Sequence, residues 1–81
     1  MPNIQTENYR TRDLSEAAVL TVMKRVLLSI EKDERICWFV FEDKTRCEQI
    51  SHQFFFDTLL VNARDYHETL NRLKSRIFAK D

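Results

Sequence analysis

The sequence predicts one small α+β domain, and three patterns support this class. Residues 35–42 are dense in aromatic and β-branched side chains, which is typical of a strand. The segments after Asp43 and Asn62 repeat apolar residues every three or four positions, which is typical of amphipathic helices. With 81 residues the chain is too short for two cores, so we expect a single domain over residues 9–81 after a loose polar tail over residues 1–8.

The first helix is predicted to begin at Leu14. Asp13 suits the N-cap, because its carboxylate can accept the backbone N–H near Glu16 while the Glu16 side chain reaches back towards the cap. Apolar residues continue at helical spacing as far as Glu31, so one long helix is an alternative.

We favour a break in this stretch near Lys24 or Arg25. The residues that follow alternate in the manner of a strand, with three apolar positions at Val26, Leu28 and Ile30. A hairpin turn at Lys32-Asp33-Glu34 would then lead into the strand over residues 35–42.

That strand is apolar on both faces. One face carries Cys37, Phe39 and Phe41, and the other carries Ile36, Trp38 and Val40. Both faces are therefore expected to need covering.

Two helices are predicted to complete the chain. Asp43 caps the first, which runs to about Phe55 with a buried stripe of Cys47, Ile50 and Phe54. Asn62 caps the last, which continues to about residue 79 with its core positions at Tyr66, Leu70, Leu73 and Ile77.

Several segments carry a resemblance to a known family. They are Tyr9-x-Thr-x-Asp-Leu-x-x-Ala-Ala, Phe39-Val-Phe-Glu-Asp, Phe54-Phe, Val61 and Leu73-Lys-x-x-Ile-Phe. Together they resemble a family of small prokaryotic and phage-type proteins catalogued as a domain of unknown function, over residues 9–78. The resemblance implies the order β-α-β-β-α-α, with Tyr9 to Thr11 as a short first strand, and hence a small three-stranded antiparallel sheet packed against helices. It transfers no active-site residues, and members often have glycine where this chain has Met23-Lys24-Arg25.

The charge balance and the cysteine count of the chain bear on its partners and its location. Thirteen basic residues balance thirteen acidic ones, so net charge does not favour nucleic acid or an anionic membrane. No long apolar run or basic leader occurs, and two cysteines do not make a disulfide framework, so we expect a cytoplasmic protein that does not enter a membrane.

The sequence contains no convincing catalytic or metal-binding motif. Cys37, Cys47, His52 and His67 lack the close pairing of zinc ligands, and Cys47 and His52 point about 140° apart on one helix. A chain without glycine has no glycine-rich phosphate loop. We therefore expect a non-enzymatic protein without a metal or small-molecule cofactor.

One candidate binding surface is a basic row on the last helix. Its members recur at helical spacing, and they are Arg72, Arg76 and Lys80, with Lys74 nearby. Such a row can meet phosphates, so a nucleic-acid-binding accessory protein is one alternative. The other is that these cations only complement the helix dipole and keep the surface soluble.

The second candidate surface is apolar. The segment 54–61 holds more large apolar residues than one helix face can bury, and the candidate interface comprises Trp38, Phe55, Phe56 and Leu59. Covering them by a second copy or another protein would supplement a small core, whereas helices covering both sheet faces would give a compact monomer. We favour a non-enzymatic protein-interaction module that can form a homodimer, and the family resemblance suggests an association with phages or mobile elements.

Overall fold

The computed structural model describes residues 7–79 of the protein. Its elements are β1 (Tyr9–Thr11), α1 (Leu14–Val22), β2 (Leu27–Asp33), β3 (Ile36–Phe41), α2 (Lys44–Phe56) and α3 (Ala63–Ala79). The predicted order and the α+β class are confirmed. Among the helices of this range, none combines the length and the apolar composition needed to cross a bilayer.

The sheet is antiparallel with β3 in the centre and β1 and β2 at its edges. β1 pairs with the end of β3, so that Tyr9 faces Phe41 and Thr11 faces Phe39. β2 and β3 form a hairpin closed at the pair Asp33 and Ile36. The turn predicted at residues 32–34 therefore begins two residues too early and ends one residue too early: the loop is Glu34-Arg35, and Glu34 takes the positive φ of 58° that tight hairpin turns need.

The predicted break after the first helix is confirmed, and the alternative of one long helix is wrong. The Arg25 N–H donates to the Leu20 carbonyl at 2.9 Å, and the Lys24 N–H donates to the Thr21 carbonyl at 3.0 Å. These two bonds close the helix as a Schellman motif, which places its C′ residue in the left-handed region. Lys24 occupies that position with φ 69°, where glycine is the usual residue.

A β-bulge changes the expected faces of β2. Leu27 lies opposite Phe41 and Ile30 lies opposite Phe39, with one extra residue between them. Leu27 and Ile30 consequently share the core face, whereas Val26 and Leu28 are about half exposed. The expectation that Val26, Leu28 and Ile30 share one face is wrong. Alternate side chains of a strand point to the same face, and the extra residue of the bulge moves Val26 and Leu28 to the face opposite Ile30.

The core lies between the helices and one face of the sheet. Its buried members come from all three helices and from β2 and β3: Ala17, Ala18, Val19, Leu20, Ile30, Phe39, Phe41, Cys47, Ile50 and Leu73. The predicted caps are confirmed, since Asp43 accepts from the Arg46 N–H at 3.2 Å and Asn62 from the Asp65 N–H at 3.0 Å. On the other face, Ile36 and Trp38 are partly exposed and Val40 is buried, and none of the three belongs to this core. Within residues 7–79 the helices therefore pack against the face that carries Phe39 and Phe41.

Candidate functional site

The basic row on α3 is exposed where the structure describes it. Arg72, Lys74 and Arg76 are exposed, and Lys80 lies outside the described residues. Arg72 donates to the Thr69 hydroxyl at 3.2 Å. The row therefore begins at a residue that is already engaged with its own helix.

Arg72 also lines a cleft between the end of α1 and the first half of α3. The cleft has a volume of about 230 Å³, and its charged residues are Lys24, Asp65, Glu68 and Arg72. Two carboxylates thus stand beside the first cation of the row. A phosphate approaching Arg72 would meet these negative charges, which weakens the case for an extended anion-binding surface.

The four residues of the predicted apolar interface fall in three different places. Leu59 is partly buried and packs against the core, so only part of its surface is accessible to a partner. Trp38 lies on the uncovered face of the sheet. Phe55 and Phe56 lie at the end of α2, with 50% and 78% of their surface exposed. The structure brings only the last two together.

Trp38 is shielded by a neighbouring strand. The Arg10 guanidinium lies over the indole, 4.5 Å from its ring centroid, and is itself 3.8 Å from a carboxylate oxygen of Glu31. A cation–π contact at an exposed site contributes about 0.5–1 kcal/mol. This pairing gives Trp38 a role within the sheet, in addition to any contact with a partner.

The end of α2 carries a continuous set of rings. The centroids of His52 and Phe56 are 5.2 Å apart, those of Phe54 and Phe55 4.9 Å, and those of Phe55 and Phe56 6.5 Å. Phe54 packs against the core and anchors the set. We call His52, Phe55 and Phe56 the aromatic end of α2.

A cleft of about 290 Å³ lies beside the aromatic end. Besides its three rings, the cleft is lined by Tyr9 of β1 and by Glu48 and Ser51 of α2. It therefore runs between an edge strand of the sheet and the helix next to it.

A buried carboxylate lies behind this cleft. Glu16 of α1 is only 4% exposed, and its oxygens accept hydrogen bonds from the hydroxyls of Tyr9 at 2.5 Å, Thr11 at 2.6 Å and Ser51. A buried charge needs such donors, because desolvation without them is costly. The three bonds join β1, α1 and α2 at one point.

This network corrects one expectation about the first helix. Asp13 does accept from the Glu16 N–H, at 3.0 Å, as predicted. The Glu16 side chain, however, does not reach back to the cap, because the Asp13 N–H donates instead to the Thr11 hydroxyl at 3.1 Å. A glutamate three residues after an N-cap is so common that nothing in the sequence distinguished it as a buried group.

The network also alters the chemistry of Tyr9. Partial burial, together with the hydrogen bond to the Glu16 carboxylate, raises the pKa of Tyr9 to about 12. The phenol therefore remains protonated at neutral pH and acts as a hydrogen-bond donor. Its position in the wall of the cleft is held by that bond.

The cysteines and histidines do not form a reactive cluster among the described residues. Cys47 is buried, donates to the Glu42 carbonyl at 3.4 Å, and has its pKa raised by burial to about 11. His52 is exposed and its ring is tilted against that of Phe56, and His67 is exposed near Asn71. Within residues 7–79 no three His, Cys, Asp or Glu side chains come together as metal ligands.

The fold and its surfaces define a small α+β domain in which helices cover one face of an antiparallel sheet. Residues 6–79 match the family described as Domain of unknown function (DUF5659), and the chain belongs to that family. The predicted resemblance to a domain of unknown function is thereby confirmed. No significant similarity was found to a curated protein or to a solved structure.

Proposed function

We propose that this protein is a non-enzymatic interaction module that binds another protein through the aromatic end of α2. The observation that carries the proposal is the exposure of Phe56, at 78%, beside Phe55 at 50%. Two adjacent aromatic rings at the surface of a small domain leave apolar area in water that a partner can cover. Aromatic residues are also the side chains most enriched at interfaces.

The exposed area sets the scale of the interaction. A buried aromatic side chain removes roughly 200 Å² from water, so the exposed fractions of Phe55 and Phe56 correspond to about 250 Å². At about 25 cal/mol per Å², covering this area is worth about 6 kcal/mol before the cost of association. The two rings are thus large enough to act as the central anchor of an interface.

The same area bears on self-association. Two copies meeting through these rings alone would bury about 500 Å² in total, against about 1,200 Å² or more in a stable interface. We therefore expect a homodimer through these rings alone to be weak, and a stable complex with any protein needs further area from the surface around them.

The test compares the native chain with Phe56→Ser and with Phe78→Ser. Phe78 is a suitable control because it is similarly exposed, at 73%, but lies on α3. We expect Phe56→Ser alone to abolish capture of a specific protein from native extract, and to reduce any concentration-dependent increase in mass measured by light scattering. Equal capture and equal mass for all three proteins would refute the proposal.

Nucleic-acid binding is the second candidate, favoured by the exposure of Arg72, Lys74 and Arg76 along one helix. Binding through phosphates would weaken steeply as salt rises, with a slope set by the number of contacts. Arg76→Glu should then weaken binding to a DNA or RNA duplex, measured by fluorescence anisotropy at two salt concentrations. An affinity that does not change with Arg76→Glu or with salt would remove this candidate.

The proposal includes a cytoplasmic location, which is supported by two cysteines that are both free. An association with phages or mobile elements rests on the sequence resemblance alone. The genes adjacent to the coding sequence would test it directly.

A further inference from the structure

We propose that the groove between β1 and α2 binds an extended segment of the partner protein, which pairs with the free edge of β1 and packs an apolar side chain against Phe55 and Phe56. This inference rests on the proposed function and specifies the partner's conformation and chemistry. Addition of a strand to a sheet edge is a recurring mode of recognition, in which backbone bonds supply affinity and side-chain pockets supply specificity.

The first observation is that one edge of β1 is open. β1 pairs with β3 through Tyr9, Arg10 and Thr11, and β3 lies on one side of it only. Within residues 7–79 no backbone hydrogen bond reaches the other side of these residues. The outward N–H and C=O groups can therefore accept another strand.

The second observation is that a helix stands beside this edge and forms a wall. The cleft is lined by Tyr9 from the strand and by Glu48, Ser51, Phe55 and Phe56 from α2. Alternate residues of a strand project to the same side of a sheet. Every second residue of an added strand would therefore project on the side of Tyr9, towards the aromatic end.

The third observation is that strand and helix are joined by buried hydrogen bonds. Tyr9 on β1 and Ser51 on α2 both donate to the Glu16 carboxylate. The relative position of strand and helix is thus held by bonds within the domain. A preformed site avoids part of the ordering cost of binding.

The charge of the groove indicates the chemistry of the occupant. Glu48 is the charged residue in its lining. The Lys44 ammonium interacts electrostatically with Glu48, but it is itself 3.2 Å from the Glu7 carboxylate. A segment with an apolar residue for the two rings and a Lys or Arg on the same face for Glu48 is therefore complementary.

The other edge of the sheet is less suitable. β2 is longer, but it contains a bulge and ends in the charged residues Glu31, Lys32 and Asp33. Bulges and charges are the features that protect an edge strand from pairing.

The experiment selects ligands for the native full-length chain from a phage-displayed library of random twelve-residue peptides. We expect enriched peptides to share an apolar residue and a Lys or Arg separated by an even number of positions. For the best synthetic peptide, we expect Phe56→Ser to weaken binding about tenfold or more. Glu48→Gln should weaken it less, and the loss should shrink at high salt. Glu34→Gln, at the distant hairpin, is the control and should leave affinity unchanged.

Backbone pairing has its own readout. Amide hydrogen exchange should show new protection in β1 when the peptide binds, and N-methylation of alternate peptide bonds should abolish binding in one register only. Failure to enrich any peptide, equal binding to Phe56→Ser, or protection at β2 instead would overturn the inference. If a folded protein or a second copy binds through Phe56 while no peptide does, the proposed function stands and the extended-segment inference fails.

Discussion

The Glu16 network supports a specific prediction about stability, and Ser51→Ala is the sharpest perturbation of it. Ser51 is 6% exposed and donates to a carboxylate that is 4% exposed. Replacement by alanine removes one of three donors and leaves the charge in place.

The magnitude follows from two opposing effects. A hydrogen bond to a charged group contributes about 1.5–3 kcal/mol to stability. Alanine has a higher helix propensity than serine, which stabilises the helix by roughly 0.5 kcal/mol. We therefore expect Ser51→Ala to lower the free energy of unfolding by about 1–2.5 kcal/mol. This is a large fraction of the total, which for a domain of this size is roughly 4–12 kcal/mol.

The assay is equilibrium unfolding in urea, followed by Trp38 fluorescence. Ser75→Ala is the matched control, because Ser75 is exposed on α3 and its hydroxyl has no hydrogen-bond partner among the described residues. It should raise stability slightly through helix propensity alone. If Ser51→Ala and Ser75→Ala change stability equally, the hydrogen bond to Glu16 contributes nothing and the reasoning is refuted. A double-mutant cycle with Glu16→Gln should give a coupling energy of about 0.5–3 kcal/mol.

Three further predictions concern backbone strain and ionisation. Lys24→Gly should stabilise the protein by up to about 1 kcal/mol in thermal unfolding, because Lys24 has a positive φ of 69° that glycine adopts without strain. Lys74→Gly, inside α3, should destabilise the protein by about as much. If both substitutions changed the stability in the same direction, this explanation would be contradicted. The Tyr9 phenol should titrate near pH 12 in the absorbance difference between the native chain and Tyr9→Phe. Because its pKa in the folded protein lies above the ordinary value near 10, its contribution to stability is complete below pH 10 and is lost as the pH rises towards 12. A titration near pH 10 would contradict the hydrogen-bond network around Glu16. In the Cys37→Ser variant, the remaining Cys47 thiol should react with iodoacetamide at pH 8 far more slowly in buffer than in urea, because burial raises the pKa of Cys47 to about 11. Equal reaction rates in buffer and in urea would show that Cys47 is not buried.

Elements governed by local interactions were predictable from the sequence. Asp13, Asp43 and Asn62 each accept a backbone N–H three residues ahead, and this pattern needs no information from elsewhere in the chain. The helix break at Lys24 was also predicted, although glycine is absent. The hairpin turn was predicted one to two residues too early because no Asn-Gly or Asp-Gly pair marks it.

Features that depend on distant partners were not predictable in the same way. The bulge in β2 appears only when Leu27 and Ile30 are aligned with β3, and it reverses the faces expected for Val26 and Leu28. The candidate interface was predicted as one surface, yet Leu59 packs inwards and Trp38 lies on the far side of the sheet from the helices. The sequence shows that segment 54–61 has more apolar residues than one helix face can bury. It does not show on which face each of them lies.

The sequence by itself determined which segments are helices and strands, because periodicity and caps act within a few residues. Only the tertiary structure decided what surrounds Glu16, since its donors Tyr9 and Ser51 lie 7 and 35 residues away along the chain. It likewise decided that an open strand edge, a helix wall and two exposed rings lie next to one another. Such juxtapositions arise from packing between elements, and packing joins residues whose separation in the sequence carries no regular pattern.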